Sequence, residues 1–383
     1  MGKEPVVIIG GGIGGLSTAL ALQNCGVPVR VYERSQQLQE LGAGILTYPN
    51  GRRCLSYLGI EGAVEDISYA IKAFNFCNYQ TGELISSLPN DEVEKRFGQK
   101  AICTHRGDLY RILLEEVRKK DPDCVNPGHE FVGLEQDQSG VTVHFKNGVT
   151  VRAPVVLGAD GNGSSVRSTL VPEKPVRFSG QTAFRALVPI EKTPSAIRDL
   201  ELGAYRAPGH FFLHYPIRSG KLMNLVAFGR DDEWQAEGWS IPATINEFLA
   251  TYADFAPSLR ELIGAVNEEE LFKWGLYGRE PSEEWVFGRV ALLGDAAHPM
   301  TPFLGQGATM AMEDAVVFAR AYSSASSVDE GLARYQAVRR TRGNNVSRWS
   351  WEEGKALQDP ATKEFKGAIG YGLVDYNAAT VAV

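Results

Sequence analysis

No apolar run in the 383-residue chain approaches the ~20 residues that cross a bilayer. Cysteine is scarce: Cys25, Cys54, Cys77, Cys103 and Cys124 are scattered, odd in number and form no C-x-x-C pair. That pattern argues against a disulfide framework or a structural zinc site and suits a reducing, cytoplasmic setting. H-E-x-x-H is missing, and His210 and His214 have no carboxylate cluster nearby in the sequence, so no metal site is expected. No G-x-S-x-G follows a strand, which removes the hydrolase elbow. Positive charge is not in excess either. Thirty-nine Lys and Arg against 46 Asp and Glu leave −7, a poor balance for gripping nucleic acid or an anionic membrane. The start of the chain lacks the long apolar stretch of a signal peptide, and Val6 stands where myristoylation wants Ser or Thr. A soluble intracellular protein, monomeric or homodimeric, is the expectation.

What is present is an ordinary globular balance, 44% hydrophobic and 22% charged, with ample material for a core. At about 150 residues per domain the length allows two or three domains. The first segment reads strand, glycine turn, helix, strand. Val6-Val7-Ile8-Ile9 is a continuous apolar run, as in a parallel strand buried on both faces. Gly10, Gly12 and Gly15 then take G-x-G-x-x-G spacing, and Glu33 ends the next strand about 20 residues on. Glycines there let backbone approach a pyrophosphate at a helix N-terminus, and the carboxylate accepts ribose hydroxyls. This fingerprint by itself does not separate FAD from NAD. No second copy of it exists elsewhere in the chain.

Two further strand-turn segments carry chemistry. Gly158-Ala159-Asp160-Gly161-Asn162-Gly163-Ser164-Ser165-Val166-Arg167 follows one apolar run. Val290-Ala291-Leu292-Leu293-Gly294-Asp295-Ala296-Ala297-His298-Pro299 forms another and leads through Gly305-Gln306-Gly307-Ala308 into a helix. The alternation of residues 141–151 around Asn147-Gly148 signals a hairpin. Residues 176–275 turn aromatic and strand-like, with strands expected over 182–189, 211–217 and 222–228 and one closing helix over 242–264. Arg339-Arg340-Thr341-Arg342 reads as a solvated helix face.

These segments, with Thr104-His105-Arg106-Gly107-Asp108-Leu109, resemble the fingerprints of the single-component, FAD-dependent aromatic hydroxylases, the class A flavoprotein monooxygenases. The string Leu41-Gly42-Ala43-Gly44-Ile45 and Tyr277-x-Arg279-x-Pro281 place the likeness nearest the salicylate hydroxylase, 3-hydroxybenzoate 6-hydroxylase and 6-hydroxynicotinate 3-monooxygenase group. The resemblance implies an α/β fold: a discontinuous Rossmann-like FAD-binding domain (1–72, 101–175, 285–345) carrying an inserted β-sheet substrate domain (73–100, 176–284) and a C-terminal helical segment (346–383). It implies bound FAD, transient NADH or NADPH, and O₂ delivered to a small phenolic or heteroaromatic ring, carboxylated or not, through a flavin C4a-hydroperoxide.

The resemblance also implies roles for particular residues. Gly10, Gly12, Ile13, Gly14, Gly15, Glu33, Arg34, Ala43, Gly44, Arg106, Val132, Asp160, Asp295, Gly305, Gly307 and Ala308 would hold FAD. Asp295 would accept a ribityl hydroxyl, Arg106 would meet phosphate or ribityl oxygens, and the helix beginning near Gly307 would stabilise charge on the reduced ring. His210, with His214 and Tyr215, would contact or deprotonate the substrate, and Pro302 would border the site of oxygen activation. Thr47, Tyr48 and Arg185 would line the pocket, Arg185 holding a carboxylate, touching the flavin or bracing the sheet. His298 is a weaker base, since it lies within a flavin motif. The competing readings are a related reductase, epoxidase or halogenase-like flavoenzyme and a non-catalytic flavin sensor. Trp239-Ser240-Ile241-Pro242 is half a halogenase signature, with Glu237 in place of its first Trp.

Overall fold

The computed structural model describes residues 4–38, 43–172, 175–231, 234, 241–358 and 366–383. Trp239, Ser240, Glu237, Leu41 and Gly42 lie outside the described residues. Val6–Ile9, buried at every position, is central in a six-stranded sheet of order Val286–Phe287, Val290–Leu292, Val156–Gly158, Val6–Ile9, Val29–Glu33, Val125–Pro127. All neighbours are parallel except the two-residue edge strand Val286–Phe287. Ile9 pairs with Gly158, and Gly158 with Leu292. This register brings the three motif-bearing turns together at one carboxyl end of the sheet, the usual ligand side of an open α/β sheet.

An eight-stranded sheet forms the second layer. Its order is Ile241–Pro242, Phe272–Gly278, Arg177–Pro189, Leu222–Arg230, His210–Ile217, Gly203–Ala207, Ala73–Cys77, Leu84–Pro89. One face packs on helices Ile245–Thr251 and Pro257–Gly264 through Phe184, Phe212, Leu225, Phe248 and Tyr252. The other face turns toward the first layer. The expected hairpin is a three-stranded meander, with Gly148 at φ +85°.

The single helix expected over 242–264 is two. Pro257 opens the second, and the residue before a proline is driven out of the helical region, as Ala256 is at ψ 142°. The basic run 339–342 is also not a solvated face at its first position. Arg339, on the 31-residue helix Val328–Gln358, is fully buried against helix Gly307–Ser324. Its Nε donates to Asp314 at 2.8 Å, and its guanidinium pairs with Glu313 at 2.8 Å. Periodicity alone did not show that the facing helix carries two buried carboxylates. Among the described residues no helix is long and apolar enough to cross a membrane.

Removing one partner of a buried charge network leaves the others uncompensated, typically at about 3–5 kcal/mol. Arg339→Met is therefore expected to lower the unfolding free energy by that order, read as a lower urea midpoint, and Arg339→Lys to recover part of it. An unchanged midpoint for Arg339→Met would show that the pair carries no stability.

Candidate active site

At the first turn, Gly10 adopts φ +108°, and a Cβ there would run into the backbone of Ala159 and Asp160. Only glycine lets strands Val6–Ile9 and Val156–Gly158 end this close. Glu33 Oε2 accepts the Gly11 N–H at 2.7 Å and Oε1 the Ser35 N–H at 2.8 Å. Each oxygen keeps a second lone pair for a hydroxyl. Arg34 is exposed beside it. Gly12 precedes helix Ile13–Asn24, which runs on through Gly14 and Gly15.

The second and third turns are stapled by a side chain to which the sequence reading gave no role. Arg167, buried, donates to the Asn162 carbonyl at 2.6 Å and to the Ala296 carbonyl at 2.8 Å. Asp160 is turned inward to its own loop, accepting from Ser164 Oγ at 2.5 Å and from the Val166 N–H at 3.1 Å. Burial raises its carboxyl above the ordinary range despite those donors. Asp295 differs. Its carboxylate accepts no hydrogen bond from a described residue and opens on a cavity of about 1190 Å³. Burial raises its pKa, opposed by His298 and Arg106. An acceptor of this kind, unpartnered and exposed to the cavity, matches a polyhydroxyl chain. Arg106, Gly305, Gly307 and Ala308 border the same cavity, and helix Gly307–Ser324 starts there.

Gly44 lies where the two layers meet. Its N–H donates to Asn224 Oδ1 at 2.8 Å, and a Cβ would strike Asn224 and the Tyr215 ring. Ala43 accepts the Arg106 N–H at 2.8 Å. Asn224 thus ties the second sheet to the Arg106 backbone through one peptide. The sequence reading missed it, although a lone Asn inside Leu222-Met223-Asn224-Leu225-Val226 was a visible signal.

The sheet face toward the cavity carries Phe211, Leu213 and Tyr215, then Phe228, Val226 and Asn224 on the next strand, then Arg185 and Leu187 on the third. Arg185 lies with its guanidinium 4.9 Å from the Trp274 ring centroid. Its Nε has no hydrogen-bond partner, and no described carboxylate pairs with it. Burial lowers its pKa to about 10, so it remains charged at neutral pH. Tyr48 and Pro302 also line the cavity. Burial pushes both the Tyr48 and Tyr215 phenols well up, so each keeps its proton.

Other expected residues stand elsewhere. His210 and His214 are not brought to the cavity: strand alternation places them with Phe212 on the helix-covered face of the sheet. His210 packs edge-on to Tyr252, 5.5 Å between centroids, with Nδ1 3.0 Å from the Pro208 carbonyl. His214 is buried, Nδ1 3.0 Å from the Glu201 carbonyl and Nε2 3.2 Å from Tyr205 Oη. Period 2 was read correctly, but which face the helices cover decides the matter, and Phe248 and Tyr252 needed Phe212 opposite them. His298 is stacked on Trp285 and committed to Asp314 at 2.5 Å. Thr47 is buried without lining the cavity, and Val132 is exposed on the three-stranded sheet. His105 does line it, with Nδ1 3.3 Å from the Arg218 guanidinium. Among the described residues no group of three or more His, Cys, Asp or Glu could hold a metal ion.

Comparison with known proteins agrees with this geometry. A family profile described as an FAD binding domain matches residues 3–350. The chain is 36% identical over 361 residues to a 3-amino-4-hydroxybenzoate 2-monooxygenase of Streptomyces platensis, covering 94% of this chain and 89% of the relative. It is 32% identical to a 3-hydroxybenzoate 6-hydroxylase of Aquipseudomonas alcaligenes, covering 90% and 87%. The solved structure of HpxO from Klebsiella pneumoniae, complexed with FAD and uric acid, superposes with a TM-score of 0.87 at 26% identity, covering 98% and 97%.

Burial holds the His214 imidazole down to about 4 against an ordinary 6.5. Between those values the unfolded chain binds the extra proton, so the stability is full above pH 6.5 and is lost as pH falls through 4. The loss amounts to about 3 kcal/mol. His214→Gln should flatten this part of the urea midpoint against pH. An unaltered slope in the variant would show that His214 does not carry it.

Proposed function

Because the chain belongs to the FAD binding domain family, we propose that it is a single-component FAD-dependent monooxygenase that uses NAD(P)H and O₂ to hydroxylate a small aromatic acid. The observation that carries the substrate class is Arg185. A half-buried cation with its Nε enclosed and no anionic partner, facing a cavity whose opposite side is formed by the flavin-motif turns, is a site for an anion. The names of the two relatives, both of which act on hydroxybenzoates, support the same class.

The described residues fit FAD: Asp295 offers an unpartnered carboxylate to ribityl hydroxyls, Arg106 a guanidinium fork, and the glycine turn at Gly10 a close backbone approach. When bound, FAD would supply the hydride acceptance and oxygen activation that no side chain supplies. The N-terminus of helix Gly307–Ser324 stabilises negative charge beside it. Arg185 orients the ring by its carboxylate, pre-set by Trp274 so that little motion is lost on binding. Tyr215 Oη keeps its proton and donates it in a hydrogen bond to the substrate's ring oxygen, favouring the anionic, electron-rich form. Phe211, Leu213, Val226 and Phe228 exclude water from the wall.

Loss of one charged hydrogen bond of this kind costs about 1.5–3 kcal/mol. Arg185→Gln should therefore raise KM for a hydroxybenzoate about 10- to 100-fold while FAD stays bound. Equal KM would remove Arg185 from the substrate. Turnover under ¹⁸O₂ should place the label in the hydroxylated product; label entering only from water would rule out a monooxygenase.

A further inference from the structure

The end of the chain returns to the cavity. Gly367 and Ala368, almost at the C-terminus, line it, and Ala368 is buried beside Leu304, with Tyr48, Met300 and Ile369 packed against the same cluster. This turn is held by one buried carboxylate. Glu353, on helix Val328–Gln358, accepts the Lys366 N–H at 2.8 Å and the Gly367 N–H at 3.1 Å through Oε1, and the Tyr371 hydroxyl at 3.1 Å through Oε2. The Tyr371 ring stacks on Trp349 of the same helix at 5.2 Å. Further along, Arg342 donates to the Leu373 carbonyl at 3.0 Å and Arg53 to the Val374 carbonyl at 2.7 Å. The segment is therefore built in at both ends, not merely laid on the surface.

The wall it forms stands next to Tyr48 and to the Met300–Leu304 stretch that carries Pro302. It lines the same cavity as Arg185. Its smallest side chain is the one that meets the cavity. A methyl group at position 368 leaves room that a branched side chain would take, and pocket walls discriminate by such increments.

We propose that the C-terminal turn sets the size of the aromatic acid that enters, with Ala368 the specificity-determining residue and Glu353 the positioning residue that holds it in place. The inference rests on the aromatic-acid reading of the same cavity. Its physical content is that a change at 368 is felt by a two-ring acid and not by a one-ring acid, because only the larger reaches the wall. Loosening the Glu353 clamp lets the wall give way, so the difference between the two acids shrinks.

The test uses the FAD-loaded full-length protein in its oxidised state, with salicylate and 3-hydroxy-2-naphthoate titrated against the flavin absorption band. Ala368→Leu should weaken naphthoate about tenfold more than salicylate, and Ala368→Gly should strengthen naphthoate relative to salicylate. Glu353→Ala should bring the two affinities together at unchanged FAD content, and Glu353→Gln, which keeps one acceptor oxygen, should restore part of the gap. If Ala368→Leu does not retain FAD, Ala368→Gly decides. Parallel changes for both acids, as a general loss of packing would give, overturn the proposal while leaving the aromatic-acid reading intact. Failure of both acids to bind the parent protein overturns that reading and this inference together; if only naphthoate fails, Ala368→Gly must admit it, and its continued exclusion overturns the inference alone.

Discussion

The site depends on one buried carboxylate, Asp314. Its Oδ2 accepts the Gly294 N–H at 3.0 Å and lies 2.5 Å from His298 Nε2, while Oδ1 accepts from Arg339 Nε at 2.8 Å. Burial by itself would raise its pKa; His298 and Arg339 outweigh that and hold it below the ordinary range. The charge thus stays on, and three elements meet at it. They are the turn after the third parallel strand, the helix that begins at Gly307, and the long helix that continues to Glu353. Asp295 and the Gly307 N-terminus are fixed with respect to each other because both are one or two residues from groups this carboxylate holds, or lie on its own helix. A flavin-binding edge made of separate chain segments needs such a tie.

The two sheets then divide the work. The parallel sheet supplies turns, backbone N–H groups and an acceptor carboxylate at its carboxyl end. The large sheet supplies a wall with cationic and hydrogen-bond-donating groups set in apolar surroundings, and its other face is spent on helix packing. Two joints link them: Asn224 to Gly44 and on through Ala43 to Arg106, and Arg218 to Asp108 at 2.8 Å. Because Gly44 has no side chain, Tyr215 can press against the backbone that positions Arg106. Cofactor edge and substrate wall are in this way linked through the Ala43–Gly44 peptide and the Arg218–Asp108 pair.

Much of this was legible in the residues. Continuous apolar runs ending in glycine turns located the central strands and the first, second and third motifs, because a strand buried on both faces leaves little freedom in composition. The helix over Gly307–Ser324 followed from its glycine start and periodicity. What escaped was everything settled by long-range packing. His210 and His214 sit on a strand whose alternation was clear, but alternation does not say which face meets a cavity. Arg339 looked like surface because a basic run has that appearance until a facing helix contributes Glu313 and Asp314. Arg167 and Glu353 act through partners more than 100 residues away or across a turn, and no local pattern marks their roles, whereas Asn224 stood out as a lone Asn in an apolar strand. The break at Pro257, by contrast, was printed in the sequence.

The central claim is that flavin and an aromatic carboxylate share one cavity, with Arg185 as the anion's partner. The most direct measurement is a titration of the FAD-loaded protein with a hydroxybenzoate and with its neutral carboxamide, following the visible flavin band. A shared cavity predicts a saturable perturbation by the acid and binding at least about tenfold weaker for the amide, since the amide leaves the half-buried guanidinium without its counter-charge. No perturbation by either compound, or equal affinity for both, would contradict it.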